Sequence, residues 1–181
     1  EMIQTARRMS DELGKLGDYS DSEKQTINRQ VGMGALKYFI LKVDPKRNML
    51  FDPKESIDFN GNTGPFIQYT YARIQSVLRK SGAVAENVPE IEMNEKEVGL
   101  AKLLYEFPDI IQSSAETHNP AVIANYMYEL AKEFNQFYHD YSILGADNEE
   151  QKLFRIQIAE QVGKLIFKGM SLLGIEVPER M

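Results

Sequence analysis

Apolar residues recur at three- and four-residue spacing along most of the chain, and almost nowhere do they alternate as a strand requires. Met2, Ile3, Ala6, Met9, Leu13 and Leu16 follow helical spacing from the outset. Glu1 is no initiator, so the chain reads as starting inside a helix and as cut from a longer protein. Ser20 with Glu23 forms a capping box that predicts a helix to about Leu41. Residues 43–56, with two prolines around a short apolar centre, predict an extended excursion or short hairpin. A helix follows from about Gly64 to Lys80, with Pro65 in its first turn, where a missing N–H costs nothing. Residues 81–93 read as the clearest loop. Asn94 and Glu97 cap the next helix, and Pro108 is expected to start another after Phe107. Asn119–Pro120 opens a long helix in which Ile123, Met127, Leu130, Phe134 and Tyr141 mark one buried stripe. A loop around 145–148 leads to a last helix of about 149–173, stopped by Gly174 and Pro178. Five or more helices with short connections predict an all-α helical bundle.

Composition narrows the function classes. With 181 residues, 43% hydrophobic and 27% charged, the chain is long enough for a real core and too apolar for a disordered segment. No apolar run approaches the ~20 residues of a membrane span, and no signal-peptide pattern is present. The absence of cysteine excludes disulfides, thiolate metal sites and a cysteine nucleophile, and fits a reducing cytoplasm. A net charge of -6 argues against general nucleic-acid binding but leaves room for a local RNA-contacting face. The two histidines, His118 and His139, have no carboxylate or cysteine at metal-ligand spacing and read as surface or cap residues. In "VGMGALK" (31–37), Lys37 stands where a dinucleotide fingerprint needs its third glycine, so Gly32 and Gly34 read as sites of close helix approach. Glu149–Glu150 sits at a helix start, where acidic residues favour the dipole. Nothing in the chain forms an active site.

The segment "GNTGPFIQYTYARIQSVLRK" (61–80) is the exception to this plainness. At helical pitch Ile67, Tyr71, Ile74 and Leu78 share one arc, the core stripe. Phe66, Tyr69, Arg73, Val77 and Lys80 share a second arc roughly 120° away. Flat aromatic surfaces beside cations suit unpaired nucleotides, whose bases stack on rings and guanidinium planes while Lys and Arg meet phosphate. Periodicity equally admits a central helix with both arcs packed and Arg73 paired to an acid.

The longer stretch "FDPKESIDFNGNTGPFIQYTYARIQSVLRKSG" resembles the segment that follows the catalytic domain in arginyl-tRNA synthetases. "VGMGALKYFIL", "ANYMYELAKEFNQFY" and the terminal "LLGIEVPERM" continue the resemblance in family order and spacing. It covers essentially the whole chain. The family's His-x-Gly-His signature and its Lys-Met-Ser-Lys-Ser loop are missing from these 181 residues. The resemblance therefore implies a C-terminal piece that recognises tRNA and activates nothing. Residues 1 to about 60 are expected to be linking, stem-contact-like helices, and residues 61–181 the helical anticodon-binding domain. The full-length parent would attach arginine to its tRNA using ATP with magnesium, while this part needs no cofactor. The partner implied is the tRNA for arginine, with no DNA and no membrane, and a cytoplasmic monomer is expected.

Position by position, the resemblance puts Phe66, Tyr69 and Arg73 on the tRNA-contacting surface, and adds Tyr138 from "FNQFYHDYSIL" and Met181 from the terminus. Phe66 stands where the family usually has Tyr, which keeps stacking but removes a hydroxyl. Tyr138 reads equally as a core-edge aromatic, Asn62 equally as a helix cap, and Met181 also as the end of a solvated tail. Gln68 is a plausible polar contact outside the main set. A helical protein-interaction module that ignores RNA is the competing reading.

Overall fold

The computed structural model describes residues 2–13, 19–82 and 91–181, with the backbone alone for 9–13. Among the described residues there are seven helices and no strand. They are α1 (Met2–Leu13), α2 (Asp21–Leu41), α3 (Pro53–Ser56), α4 (Gly64–Ser81), α5 (Glu95–Thr117), α6 (Ala121–Asp140) and α7 (Glu149–Leu172). The expected all-α bundle is what forms. Of the expected first stripe, Leu16 lies outside the described residues, as does the 83–90 stretch of the loop after α4.

The capping signals act where the sequence puts them. Ser20 and Asn94 each complete a reciprocal capping box, with Glu23 and Glu97 respectively. Asn148 caps α7, and the start of α6 is served by Asn119 Oδ1, which accepts from the Ala121 N–H at 3.0 Å. His118 ends α5 in the left-handed conformation, φ 51°.

One expectation needs correction. Pro108 starts no helix: it lies inside the continuous α5. Its ring removes one donor from the Leu104 carbonyl. That loss is tolerated because Pro108 and its neighbours Tyr105, Glu106 and Asp109 are exposed, so water can serve the freed group. Of the two forms expected for residues 43–56, the excursion is present and the hairpin is not. These residues run as an irregular excursion ending in the single turn α3, whose N-cap Asp52 accepts from the backbone of Lys54 and Glu55.

α4 is the centre of the molecule and packs against α2, α6 and α7. The main core is built from α4 to α7 together with Tyr38 of α2, and Ile67, Ile74, Met127, Leu130, Phe134, Ile166 and Met170 are fully buried in it. A second, smaller core gathers Met2 and Ala6 of α1, Val31 and Ala35 of α2, and Ile57. α1 and α2 meet closely: a Cβ on Gly32 would stand 2.9 Å from the Ile3 Cα, so only glycine fits that crossing. None of the described helices is long and apolar enough to cross a membrane.

Candidate nucleic-acid interface

The N-cap of α4 is Thr63, whose hydroxyl accepts from the Phe66 N–H at 3.3 Å; Asn62 instead accepts the Tyr38 hydroxyl proton at 2.6 Å. Ile67 and Ile74 sit in the core as their spacing requires, Tyr71 with them, and Leu78 is half-buried against it. The second arc divides along its length. Near the helix start it is covered by α6: the Phe66 ring lies 5.4 Å from that of Tyr128. Val77 is buried. Between these positions Tyr69 and Arg73 look into a cleft, which Lys80 closes at the solvent edge.

That cleft has a volume of about 650 Å³ and lies between α4, the end of α6 with the loop after it, and the last residues of the chain. The Arg73 guanidinium carbon stands 4.9 Å from the Tyr69 ring centre and 5.0 Å from that of Tyr138. Two aromatic rings thus share one cation, within the range where the ring quadrupole attracts it. Arg73 Nη1 donates to Asn135 Oδ1. Asn135 Nδ2 in turn donates to the Thr70 hydroxyl at 2.7 Å, and that hydroxyl donates to the Phe66 carbonyl at 2.9 Å. The relay runs from α6 back into α4 and fixes the guanidinium without a carboxylate. Phe134 backs Tyr138 at 6.3 Å and Phe59 meets Tyr69 edge-on at 6.4 Å, so the cleft rings are supported from behind. Tyr138 is 40% exposed, so part of its ring is open to a ligand.

Charge separates this cleft from the rest of the molecule. Arg73, Arg79, Lys80 and Arg180 line it, and among the described residues no Asp or Glu side chain does, in a protein whose net charge is -6. Low-dielectric walls around charges of one sign concentrate the field on anions. Its polar remainder includes the hydroxyls of Tyr19, Ser76 and Ser142. The lip at Ser142 is anchored from below. Arg155 Nη1 donates to the Ser142 carbonyl at 2.8 Å while its Nε pairs with Glu97 Oε1 at 2.8 Å, both side chains buried.

Of the residues expected to contact nucleotides, Tyr69, Arg73, Tyr138 and Met181 come together in this one cleft. Phe66 does not line it, being packed against Tyr128. Met181 is half-buried, packs against the smaller core, and also forms part of the cleft wall. Gln68 is fully buried and faces away from the cleft. Sequence reasoning missed Arg79, Arg180 and Tyr19 as lining residues. Arg79 had a signal in the adjacent Lys80 at a helix end, and Arg180 in its neighbour Met181; Tyr19 had none. His139 reaches the cleft rim, exposed and 3.0 Å from the Asp140 carboxylate. Among the described residues no group of three His, Cys, Asp or Glu could hold a metal ion.

Comparison with known proteins gives a family match and several relatives. The model of the DALR anticodon binding domain matches residues 67–181. An arginine–tRNA ligase of Phocaeicola vulgatus is 57% identical over 185 residues, which cover 99% of this chain and 30% of that protein. The same enzyme of Flavobacterium psychrophilum is 51% identical over 181 residues, covering 100% of this chain and 30% of its own. Among solved structures, Thermus thermophilus arginyl-tRNA synthetase superposes with a TM-score of 0.91 at 30% identity, over 99% of this chain and 31% of its own. Arginyl-tRNA synthetase from Plasmodium falciparum gives 0.82 at 27% identity, over 99% of this chain and 32% of its own. The chain therefore spans about 30% of the length of the curated relatives it matches.

Proposed function

The chain belongs to the DALR anticodon binding domain family, and on that premise we propose that its cationic, aromatic cleft holds unpaired nucleotides of a tRNA anticodon loop. In this reading the chain is the tRNA-recognition region of an arginine–tRNA ligase. The observation that carries it is the Arg73 guanidinium held against the rings of Tyr69 and Tyr138, in a cleft lined by four Arg and Lys residues and, among the described residues, by no acidic side chain. A splayed base can stack on the open part of Tyr138, since every base has a π-face. Arg79, Lys80 and Arg180 line the same cleft and would meet the phosphates on either side. Phe66 contributes from behind, because its carbonyl ends the hydrogen-bond relay that aims Arg73. Met181 supplies an adaptable apolar edge.

Charging itself would belong to a longer parent. There, arginine would be activated with ATP and magnesium on residues outside this chain, in the cytoplasm, and anticodon contacts here would be coupled to charging. We take the protein as a monomer that binds neither DNA nor membranes, and we divide it near residue 60, where the smaller core gives way to the larger. The family match favours tRNA recognition over a helical protein-interaction module.

The test is titration of the chain with tRNA for arginine against a tRNA of different anticodon. Arg73→Ala should weaken binding by about 5- to 150-fold, the loss of one stacking or charge-assisted contact of roughly 1–3 kcal/mol. Ile74→Ala, one position along, should lower stability by about 2–5 kcal/mol and leave affinity of the folded chain unchanged. Equal effects of both variants on melting temperature and on binding would make the arc mere packing. The 181 residues alone should show no arginine-dependent ATP–pyrophosphate exchange.

A further inference from the structure

One buried polar side chain on α4 has no part in the cleft and reaches the opposite way. Gln68 is fully buried, and its Nε2 donates to two carbonyls at once, Gln30 at 3.0 Å on α2 and Glu176 at 2.7 Å in the terminal segment. Two carbonyl acceptors around one atom settle which end of the amide is nitrogen. Among the described residues its Oε1 has no hydrogen-bond partner, so the side chain is held there by its donor end alone. A buried amide left half-satisfied is costly, and its retention here coincides with the fixing of a chain segment.

The surroundings are shaped for that reach. A Cβ on Gly34 would stand 2.4 Å from Gln68 Nε2, and one on Gly64 would stand 2.6 Å from the Gly34 carbonyl oxygen. Both glycines of the α2–α4 crossing are thus needed, one for the backbones to approach and one for the amide to pass. Three further side-chain bonds follow the same segment: Lys37 Nζ donates to the Gly174 carbonyl, Gln30 Nε2 donates to the Glu176 carboxylate at 3.0 Å, and Arg79 Nη1 donates to the Glu179 carbonyl at 3.3 Å. Gly174 itself takes φ 67°, turning the chain out of α7 toward this clamp. Beyond Glu176 the chain runs to Arg180 and Met181, both in the cleft wall.

We propose that Gln68 is a positioning residue for the cleft: its amide fixes the course of residues 174–181 across α2 and α4, and so sets Arg180 and Met181 into the wall. This rests on the reading of the cleft as an RNA site. Gln68 touches no nucleotide and acts only through the segment it holds. Without the clamp, Arg180 leaves the wall and one phosphate-neutralising charge is lost, although the helices beneath keep their packing.

The experiment pairs Gln68→Met, which keeps side-chain volume and removes the donor, with Arg180→Ala. The first measurement needs no RNA: methyl resonances of Met181 and Val177, with those of Ile166 in the main core as internal reference. Gln68→Met should move the Met181 and Val177 signals toward unstructured-peptide positions and leave Ile166 in place. The second is the salt dependence of tRNA binding. Gln68→Met should reduce the slope of log K against log salt by roughly 0.7, the value for one contact to single-stranded nucleic acid, as Arg180→Ala does, and the double variant should lose no more. Unmoved Met181 and Val177 signals, displacement of Ile166 together with them, or a full additive loss in the double variant would each overturn the proposal. Should Gln68→Met not fold, Lys37→Met loosens the same segment from the surface and must shift the same two signals in the same direction. If the unaltered chain binds no tRNA, the RNA reading fails while the methyl signals still decide the role of Gln68.

Discussion

Replacing Glu97 by alanine removes one half of the buried ion pair that joins α5 to α7. Glu97 Oε1 meets Arg155 Nε at 2.8 Å, with side-chain exposures of 0% and 7%. The same carboxylate accepts the Asn94 N–H at 3.0 Å in the capping box of α5. Breaking a buried pair strands the surviving charge, which costs about 3–5 kcal/mol, and losing the cap adds roughly 1 kcal/mol. Arg155 does have two further partners, the Ser142 carbonyl and the Tyr141 ring at 5.2 Å, which bring the estimate toward the lower end. A loss of about 4 kcal/mol corresponds to a fall in melting temperature of roughly 8–16 °C for a domain of this size. Circular dichroism melts and urea midpoints measure it. The double variant Glu97→Leu, Arg155→Met, which leaves no orphan charge, should recover most of that loss, apart from the cap. A Glu97→Ala cost below about 1 kcal/mol, or a coupling energy near zero in the cycle, would refute the claim that this pair anchors the lip of the cleft.

Two further outcomes follow from burial and close approach. Burial, with Glu106 nearby, pushes the Tyr126 hydroxyl up to about 12, and it donates to the Leu103 carbonyl. A raised folded value means that its stabilisation is complete below the ordinary tyrosine value near 10 and is lost as pH rises from there to about 12, so urea midpoints should fall across that window and Tyr126→Phe should flatten the fall. Gly64→Ala places a Cβ 2.6 Å from a backbone oxygen that cannot swing aside, and should lower stability by about 1–3 kcal/mol in the same urea assay.

The helices were legible because their signals are local. The boxes at Ser20 and Asn94 and the glycine stop after α7 each act within a few residues. Pro108 misled for the same reason: a proline reads as a helix start, yet whether a helix can carry it depends on what surrounds the freed carbonyl, which is a tertiary matter. The arc of Tyr69 and Arg73 followed from angle alone. Phe66 shares that angle, but α6 covers the helix at its level, and periodicity carries no information about where along an axis a neighbour lies. Arg180 and Gln68 belong to the same class. One reaches the cleft and the other holds the terminal segment only after α2 and α4 have crossed, so neither role has a sequence period.

The central claim, that the cleft between Tyr69, Tyr138 and the chain end receives RNA, is tested most directly by locating the bound nucleotides on the protein. An anticodon stem-loop RNA of the arginine tRNA titrated into isotopically labelled chain should perturb resonances of Tyr69, Arg73, Tyr138, Arg180 and Met181 together. The exposed Leu50, which does not line the cleft, should remain unmoved. Perturbations centred elsewhere, or none at RNA concentrations where the complete tRNA binds, would contradict the account.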